Sequence, residues 1–157
     1  MSERIKELEH EGDVAADYLE GLLDIADLDG DIDMDVENDR AIVSIVGADL
    51  NMLVGDKGEV LDAIQELTRL AVTRETGDRS RLMLDISGHR AAAKERLSVI
   101  GREAAEKALS SGEQVELKAM TAFERKVVHD AVAAAGASSV SKGEEPNRRI
   151  VVQPKPE

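Results

Sequence analysis

The chain has 157 residues, a length that suits one ordinary domain or two very small ones. It has no cysteine, which excludes disulfide bonds and thiolate metal sites, and one tyrosine and one phenylalanine leave the core to aliphatic side chains. The net charge of -13 disfavours a polyanionic partner at face value, yet residues 1–39 hold 15 acidic and 2 basic side chains, while residues 40–157 hold 18 of each.

A charged leader, residues 1–12, precedes a domain of mixed helices and strands over 13–88. Apolar residues that recur every three or four positions predict helices, and apolar residues that alternate predict strands. The predicted order is helix, strand, strand, helix, helix, strand. The elements are a helix over 14–26, strands over 31–37 and 41–46 with a turn at Asn38-Asp39, a short helix over 50–54 capped by Asp49, a helix that ends at Gly77, and a strand over 82–86.

The second half begins with a long connecting helix over 89–112, for which Ser87 is the predicted N-cap. The domain that follows, 113–157, has the order strand, helix, strand, strand, so both domains are α+β. Its helix starts with a capping box, Thr121-Ala122-Phe123-Glu124. The strands cover 115–118, 137–142 and 148–153, with a turn at 143–146 between the last two.

Two predicted helices meet at Gly55-Asp56-Lys57-Gly58, where backbone can approach a ligand because glycine has no Cβ. The N-terminus of the second helix offers free N–H groups that favour phosphate oxygens. A Gly-x-x-Gly sequence alone is more often a plain turn between helices. The surrounding element order favours a KH domain with its helix placed N-terminally, type II-like, whose loop holds about four nucleotides. The candidate RNA-binding residues are therefore Gly55, Asp56, Lys57 and Gly58.

The capped helix carries Arg125 and His129, which are four residues apart and therefore share a face. The neighbouring valines lie toward the core, so we expect the pair to be exposed together as an anion clamp for phosphate. Lys126, Arg148 and Arg149 are further candidates for phosphate binding. Because adjacent strand residues point to opposite faces, at most one of Arg148 and Arg149 joins a given face. For an isolated Arg-x-x-x-His, two ordinary solvated side chains are the commoner explanation.

Two stretches carry a family resemblance. The segment GADLNMLVGDKGEVLDAIQ, residues 47–65, resembles the KH segment of the bacterial Jag, or SpoIIIJ-associated, family. The segments MTAFERKVVH, residues 120–129, and SKGEEPNRRIVV, residues 141–152, resemble its C-terminal Arg-x-x-x-His domain, with Arg125 and His129 at the name-giving positions. The chain looks like a short form, without the separate N-terminal domain of many members.

The resemblance implies binding of single-stranded RNA through its sugar-phosphate backbone and a post-transcriptional regulator linked to cell elongation or division. It also implies a small single-KH partner protein and, from the family name, an association with a membrane insertase. No apolar run approaches the ~20 residues of a membrane-spanning helix. Residues 1–11 are charged where a signal peptide would be apolar, so we expect a soluble, cytoplasmic protein.

Other chemistries have less support. The acid-rich stretch fails the EF-hand template, because placing Gly30 at the template's glycine puts Ile25 and Val36 where carboxylates are required. The three histidines share no metal-ligand spacing, and no catalytic constellation supports an enzyme such as a nuclease, so we expect no metal, no other cofactor and no catalysis. The alternative function is a protein-interaction adaptor whose acidic N-terminal face binds a basic protein while RNA binding is vestigial. Asp56 and the net charge favour that alternative.

Overall fold

The structure, a computed structural model, describes residues 2–154. The chain forms two compact units, Met1–Arg90 and Ala91–Glu157, both built from helices and a small sheet. Met1 and residues 155–157, which the sequence assigned to the leader and to the C-terminal domain, lie outside the described residues. The mixed α+β class predicted from the sequence is confirmed.

The first unit contains helices and one three-stranded sheet. The elements are α1 (Glu3–Ile25), β1 (Asp31–Glu37), β2 (Arg40–Val46), a single 3₁₀ turn (Asn51–Leu53), α2 (Glu59–Thr76), β3 (Met83–Ile86) and the first residues of α3 (His89–Ser111). The strand order in the sheet is β1-β2-β3, in which β2 is antiparallel to β1 and parallel to β3. The strand β1 is therefore at an edge of the sheet.

The core of this unit lies between one face of the sheet and the helices α1 and α2. Alternation along β2 turns Ala41, Val43 and Ile45 toward the helices, and all three are fully buried. The neighbouring strand β3 adds Leu84 and Ile86 to the same layer. The core is aliphatic, as the scarcity of aromatic residues predicted.

The helix α1 runs without a break from Glu3, through the segment that the sequence assigned to a charged leader. Leu8 is buried there, and Oε1 of Glu11 accepts the hydroxyl of Ser80 at 2.7 Å. Gly12 lies against Met34 of β1, at a distance where a Cβ would make an ordinary van der Waals contact with the sulfur, 3.6 Å away. These contacts make the segment part of the first unit.

Local turn chemistry was predicted correctly at the hairpin and wrongly at two helix starts. Asn38 and Asp39 both adopt positive φ, 51° and 59°, which a two-residue hairpin turn requires. Asp49 is not an N-cap: it adopts a φ of 61°, and the following element is only a 3₁₀ turn without a side-chain cap. Ser87 also has positive φ, and the N–H of Arg90 bonds instead to the carboxylate of Asp85 at 2.8 Å.

The second unit contains α3, a further helix and a second three-stranded sheet. Besides α3, the elements are β4 (Val115–Ala119), α4 (Ala122–Ala134), β5 (Ser138–Lys142) and β6 (Arg149–Gln153). The strands are antiparallel in the order β4-β6-β5. The capping box predicted at Thr121 and Glu124 is confirmed by reciprocal side-chain to backbone hydrogen bonds at the start of α4.

The core of the second unit joins α3, α4 and one face of the sheet. Val128 and Val132 of α4 are fully buried, as are Ile150 and Val152 of β6. Gly101 permits close contact between the two helices, because a Cβ there would lie 2.9 Å from the carbonyl oxygen of Val128. This packing orients α4, and with it the Arg-x-x-x-His segment, against β5 and β6.

Candidate functional site

The Gly55–Gly58 loop joins the 3₁₀ turn to α2, and its two glycines adopt the left-handed backbone conformation, with φ of 87° and 84°. Gly58 is the N-cap of α2, and a Cβ at this residue would lie 2.7 Å from Nε2 of His89. The left-handed backbone angle favours glycine at this residue, and a Cβ would also require the imidazole of His89 to move. His89, which sequence reasoning did not identify, lies against the loop.

Glu59 covers the backbone of this loop. Its Oε1 accepts the N–H of Asp56 at 3.0 Å and its Oε2 accepts the N–H of Lys57 at 2.8 Å. Hydrogen bonds from its own N–H and from those two N–H groups lower the pKa of Glu59, so the side chain is ionised at neutral pH. A carboxylate resembles a phosphate in charge and in hydrogen-bond acceptors. The loop thus holds an anion of its own, while Asp56 and Lys57 are exposed to solvent.

The two glycines that flank α2 provide a matched pair of substitutions. Gly77, at the C-terminal end, has a φ of 83° but open space where a Cβ would lie, so Gly77→Ala should cost about 1 kcal/mol from backbone conformation alone. Gly58→Ala should cost more, because the new methyl group also meets His89. Urea denaturation of both variants measures the difference. Equal losses would show that His89 moves aside without cost.

Arg125 is not exposed, contrary to the expectation that it and His129 meet solvent together. Only 8% of Arg125 is exposed. With Val128 and Val132 it forms a stripe at helical spacing that faces the sheet, which is the physical reason for its burial. His129 lies at the edge of this stripe and is half-buried.

The guanidinium of Arg125 connects the start of α4 to the turn between β5 and β6. One terminal nitrogen donates to the carbonyl oxygen of Met120, and the other pairs with Oε1 of Glu145 at 2.6 Å. The side chain of Glu145 is 59% exposed, so the ion pair is covered on the arginine side and open on the carboxylate side. An external anion could therefore reach Arg125 only by taking the place of Glu145.

His129 projects from α4 toward β5 and lies between two hydroxyl groups. Its Nδ1 is 2.5 Å from Oγ of Ser139, and its Nε2 is 2.9 Å from Oγ of Ser141. Burial lowers the pKa of His129, and the positive charge of Arg125 lowers it further, whereas Asp130 acts in the opposite direction. The imidazole is thus neutral at pH 7, with one nitrogen donating and one accepting.

The other three candidate cations differ in their accessibility. Lys126 is the most exposed and pairs with Asp130 at 3.1 Å across one turn of α4. Arg148 precedes β6 and donates to the carbonyl oxygen of Gly143 at 2.7 Å. Arg149 pairs with Glu116 and lies on the sheet face opposite to Ile150. The structure therefore brings Lys126 and His129 to the surface of one helix, and it places Arg149 apart from them.

The lowered pKa of His129 predicts how the stability of the second unit depends on pH. The unfolded chain takes up the proton more readily, so the free energy of unfolding should fall as the pH drops through about 6.5. His129→Gln should reduce that fall, and His10→Gln, an exposed histidine in the first unit, should not. Urea titrations followed through the NMR signals of Phe123 report on the second unit. An identical pH dependence in the His129 variant would contradict this assignment.

Several residues of the candidate sites were not identified in the sequence analysis, and for only some of them does the sequence contain a pattern that could have indicated them. Glu59 could have been identified, because an acidic residue in the first turn of a helix favours the free N–H groups there. Ser139 and Ser141 could have been identified as two hydroxyls on one face of a strand. No local pattern pointed to Glu145 or His89.

Among residues 2–154, no group of three or more acidic or histidine side chains is arranged to hold a metal ion. Within the same range, no helix combines the length and the apolar character needed to cross a membrane. The two units thus hold separate candidate sites, the Gly55–Gly58 loop in the first and the residues around Lys126 and His129 on α4 in the second.

Comparison with known proteins gives a family for most of the chain. The family model of the R-three-H domain, named after the spacing Arg-x-x-x-His, matches residues 95–154. A protein of Clostridium symbiosum named RNA-binding protein KhpB is 31% identical over an alignment of 157 positions, which covers 98% of this chain and 71% of that protein. Proteins of the same name from Bacillus subtilis and Lactiplantibacillus plantarum are 30% and 26% identical, over 80% and 87% of this chain. The chain spans 63% and 42% of the length of these two relatives.

Proposed function

Because the chain belongs to the KhpB family, which confirms the resemblance seen in its sequence, we propose that it binds single-stranded RNA through phosphate contacts at two places. One is the Gly55–Gly58 loop of the first unit, and the other is the surface of α4 around Lys126 and His129. The observation that carries this proposal is that an internal carboxylate occupies an anion-binding position at each place, Glu59 on the loop and Glu145 on Arg125.

The first unit acts in this proposal as a KH domain of the type II-like arrangement. Support comes from the order of its elements, from the mixed three-stranded sheet, and from the glycine-bounded loop at the N-terminus of α2. An RNA phosphate would replace the carboxylate of Glu59 on the N–H groups of Asp56 and Lys57. The exposed Lys57 ammonium would add a charge to that contact, and the aspartate carboxylate would oppose it.

In the second unit, phosphate would first meet Lys126 and His129 at the surface of α4. Arg125 would join when Glu145 moves away, since the buried guanidinium pairs with that exposed carboxylate at 2.6 Å. Arg148, at the same end of the β5–β6 turn, could approach the same strand of RNA. Proton uptake by His129 would strengthen the contact, because a nearby phosphate favours the imidazolium form.

The chain has few aromatic side chains on which RNA bases could stack. Tyr18 packs against the core of the first unit, and Phe123, 39% exposed at the start of α4, is the other aromatic residue of the chain. Proteins that read single strands by stacking use several such rings. We therefore propose that contacts to the sugar-phosphate backbone dominate the affinity.

The salt dependence of RNA binding tests this proposal. For a single-stranded oligonucleotide, the logarithm of affinity should fall with the logarithm of salt concentration, and Lys126→Ala or Lys57→Ala should each reduce the slope by about 0.7. Lys107→Ala, an exposed lysine of α3, serves as the control and should leave the slope unchanged. Affinity that does not respond to salt, or equal slopes in all variants, would remove phosphate contacts from the account.

We also propose, from the family, a cytoplasmic post-transcriptional regulator that acts in cell elongation or division by binding RNA rather than by catalysis. A small single-KH protein and a membrane insertase are the partners proposed on the same ground. Crosslinking in cells followed by sequencing of bound RNA tests the regulatory role, with the Lys57→Ala, Lys126→Ala double variant as control. Loss of specific transcripts in the control is the expected result, and an unchanged set would contradict the proposal.

A further inference from the structure

The strand β1 has an unpaired edge within the part of the chain that the structure describes. The two-residue turn makes Glu37 and Arg40 a hydrogen-bonded pair. Hydrogen-bonded and non-hydrogen-bonded pairs then alternate along the hairpin, and Val36, Met34 and Ile32 belong to the non-hydrogen-bonded pairs. Ile32, Met34 and Val36 therefore point their backbone N–H and C=O groups away from β2. The N–H of Val36 donates to the carboxylate of the neighbouring Asp35 at 2.8 Å, which agrees with an N–H that points away from β2.

A groove runs along this edge between α1 and β1. Its floor is apolar and includes Ile5 and Leu8 of α1 and Met34 and Val36 of β1. Ile5 is 40% exposed and Met34 48%, which are large fractions for apolar side chains that share one depression. Gly12 contributes space because it has no side chain.

Most of the charged side chains around this edge are acidic, and the basic Arg4 and Arg40 lie at its turn end, beside Asp39 and Glu37. Glu9 and Asp13 border the groove on the side of α1. On the opposite face of the sheet, β1 exposes a row of carboxylates at every second position. These are Asp31, Asp33, Asp35 and Glu37. A strand added beside β1 would place alternate side chains over the apolar groove and over this acidic row.

We propose that the edge of β1 binds an extended segment of a partner protein in which basic and apolar residues alternate, so that the segment becomes a fourth strand of the sheet. The apolar side chains enter the groove beside Met34, and the basic side chains pair with the carboxylates of β1. Backbone hydrogen bonds to Ile32 and Met34 supply affinity, and the alternation supplies specificity.

The acidic charge at the edge of β1 favours a basic protein segment over two other binding partners, a second copy of the chain and RNA. A second copy of the chain, paired through the same edge, would set the acidic rows of two β1 strands against each other, which is unfavourable. RNA would meet the same carboxylates with its phosphates. A cationic protein segment alone satisfies the hydrogen bonds, the groove and the charge.

A synthetic octapeptide, Lys-Val-Arg-Ile-Lys-Val-Arg-Ile, tests the proposal with the full chain. The control peptide has the same composition with its basic residues in one block and its apolar residues in the other. The alternating peptide should bind at least about tenfold more tightly in fluorescence anisotropy. It should also slow hydrogen exchange at the amides of Ile32 and Met34. Equal binding of the two peptides, or unchanged exchange at both amides, would overturn the proposal.

Two substitutions at one position separate backbone pairing from general attraction of a cation. Met34→Pro removes an outward N–H and leaves the β1–β2 hydrogen bonds in place, so it should weaken peptide binding by about tenfold or more. Met34→Ala keeps that N–H and should weaken binding less. If Met34→Pro unfolds the first unit, Asp33→Lys tests the proposal in its place. This substitution reverses one charge of the acidic row on β1 and should also weaken peptide binding. Full binding by Asp33→Lys, or a stable dimer in analytical ultracentrifugation, would contradict the proposed occupant.

Discussion

Arg125→Ala is expected to lower the free energy of unfolding of the second unit by about 2–4 kcal/mol. The arginine is 8% exposed and holds the carbonyl oxygen of Met120 and the carboxylate of Glu145, so its removal leaves a space and a carbonyl group without its partner. Urea denaturation followed by the NMR signals of Phe123 measures the loss. Lys126→Ala is the matched control on the same helix, and it should change stability by less than about 1 kcal/mol because its ion pair is exposed.

This expectation changes how a loss of RNA binding in Arg125→Ala would be understood. Part of the loss would come from a less stable second unit rather than from a missing phosphate contact. Glu145→Gln separates the two effects, since it removes the competing charge and leaves the guanidinium in place. Higher RNA affinity in Glu145→Gln would place phosphate on Arg125. If Arg125→Ala were as stable as the parent protein, the proposed structural role of the ion pair would be wrong.

Glu59→Gln is expected to raise the affinity for single-stranded RNA about tenfold. The carboxylate accepts the N–H groups of Asp56 and Lys57, and those hydrogen bonds lower the pKa of Glu59, so a phosphate must displace a charged competitor. An amide is a weaker acceptor and carries no charge that repels phosphate. Fluorescence anisotropy with a labelled oligonucleotide measures the change.

The control for this prediction is Glu75→Gln, which removes the same charge from the exposed far end of α2. A gain in Glu59→Gln alone would assign the effect to the loop. Equal gains in RNA affinity in both variants would show that the effect comes only from the change in net charge. No gain in either variant would indicate that RNA does not bind the loop. The amide signals of Asp56 and Lys57 should shift in Glu59→Gln even without RNA, because they lose a charged partner.

These two predictions share a physical basis. A chain with a net charge of -13 can bind RNA only where cations and N–H groups meet phosphate locally. In this chain carboxylates hold the candidate positions, so the proposed RNA binding would exchange one anion for another. Such an exchange would lower the affinity for RNA and would favour a phosphate that matches the geometry of the displaced carboxylate.

Features set by neighbours in the chain were predictable from the sequence. The hairpin at Asn38-Asp39, the bounds of β1, the capping box at Thr121 and the glycine stop of α2 follow from the conformations that single residues and short segments prefer. The family, too, was readable from short motifs in residues 47–65, 120–129 and 141–152, and the similarity to relatives over most of the chain confirms it.

The candidate site depended on contacts between residues distant in the chain. Arg125 meets Glu145 and His129 meets Ser139 only because α4 packs on the β5–β6 hairpin, and the same packing turns Arg125 inward along the stripe of Val128. The four-residue spacing of Arg125 and His129 indicated that they are neighbours on one face of a helix. It did not indicate which of the two side chains would be buried against the core. That outcome is decided by which neighbours fill the space beneath the helix, a property of the packed chain and not of the local sequence.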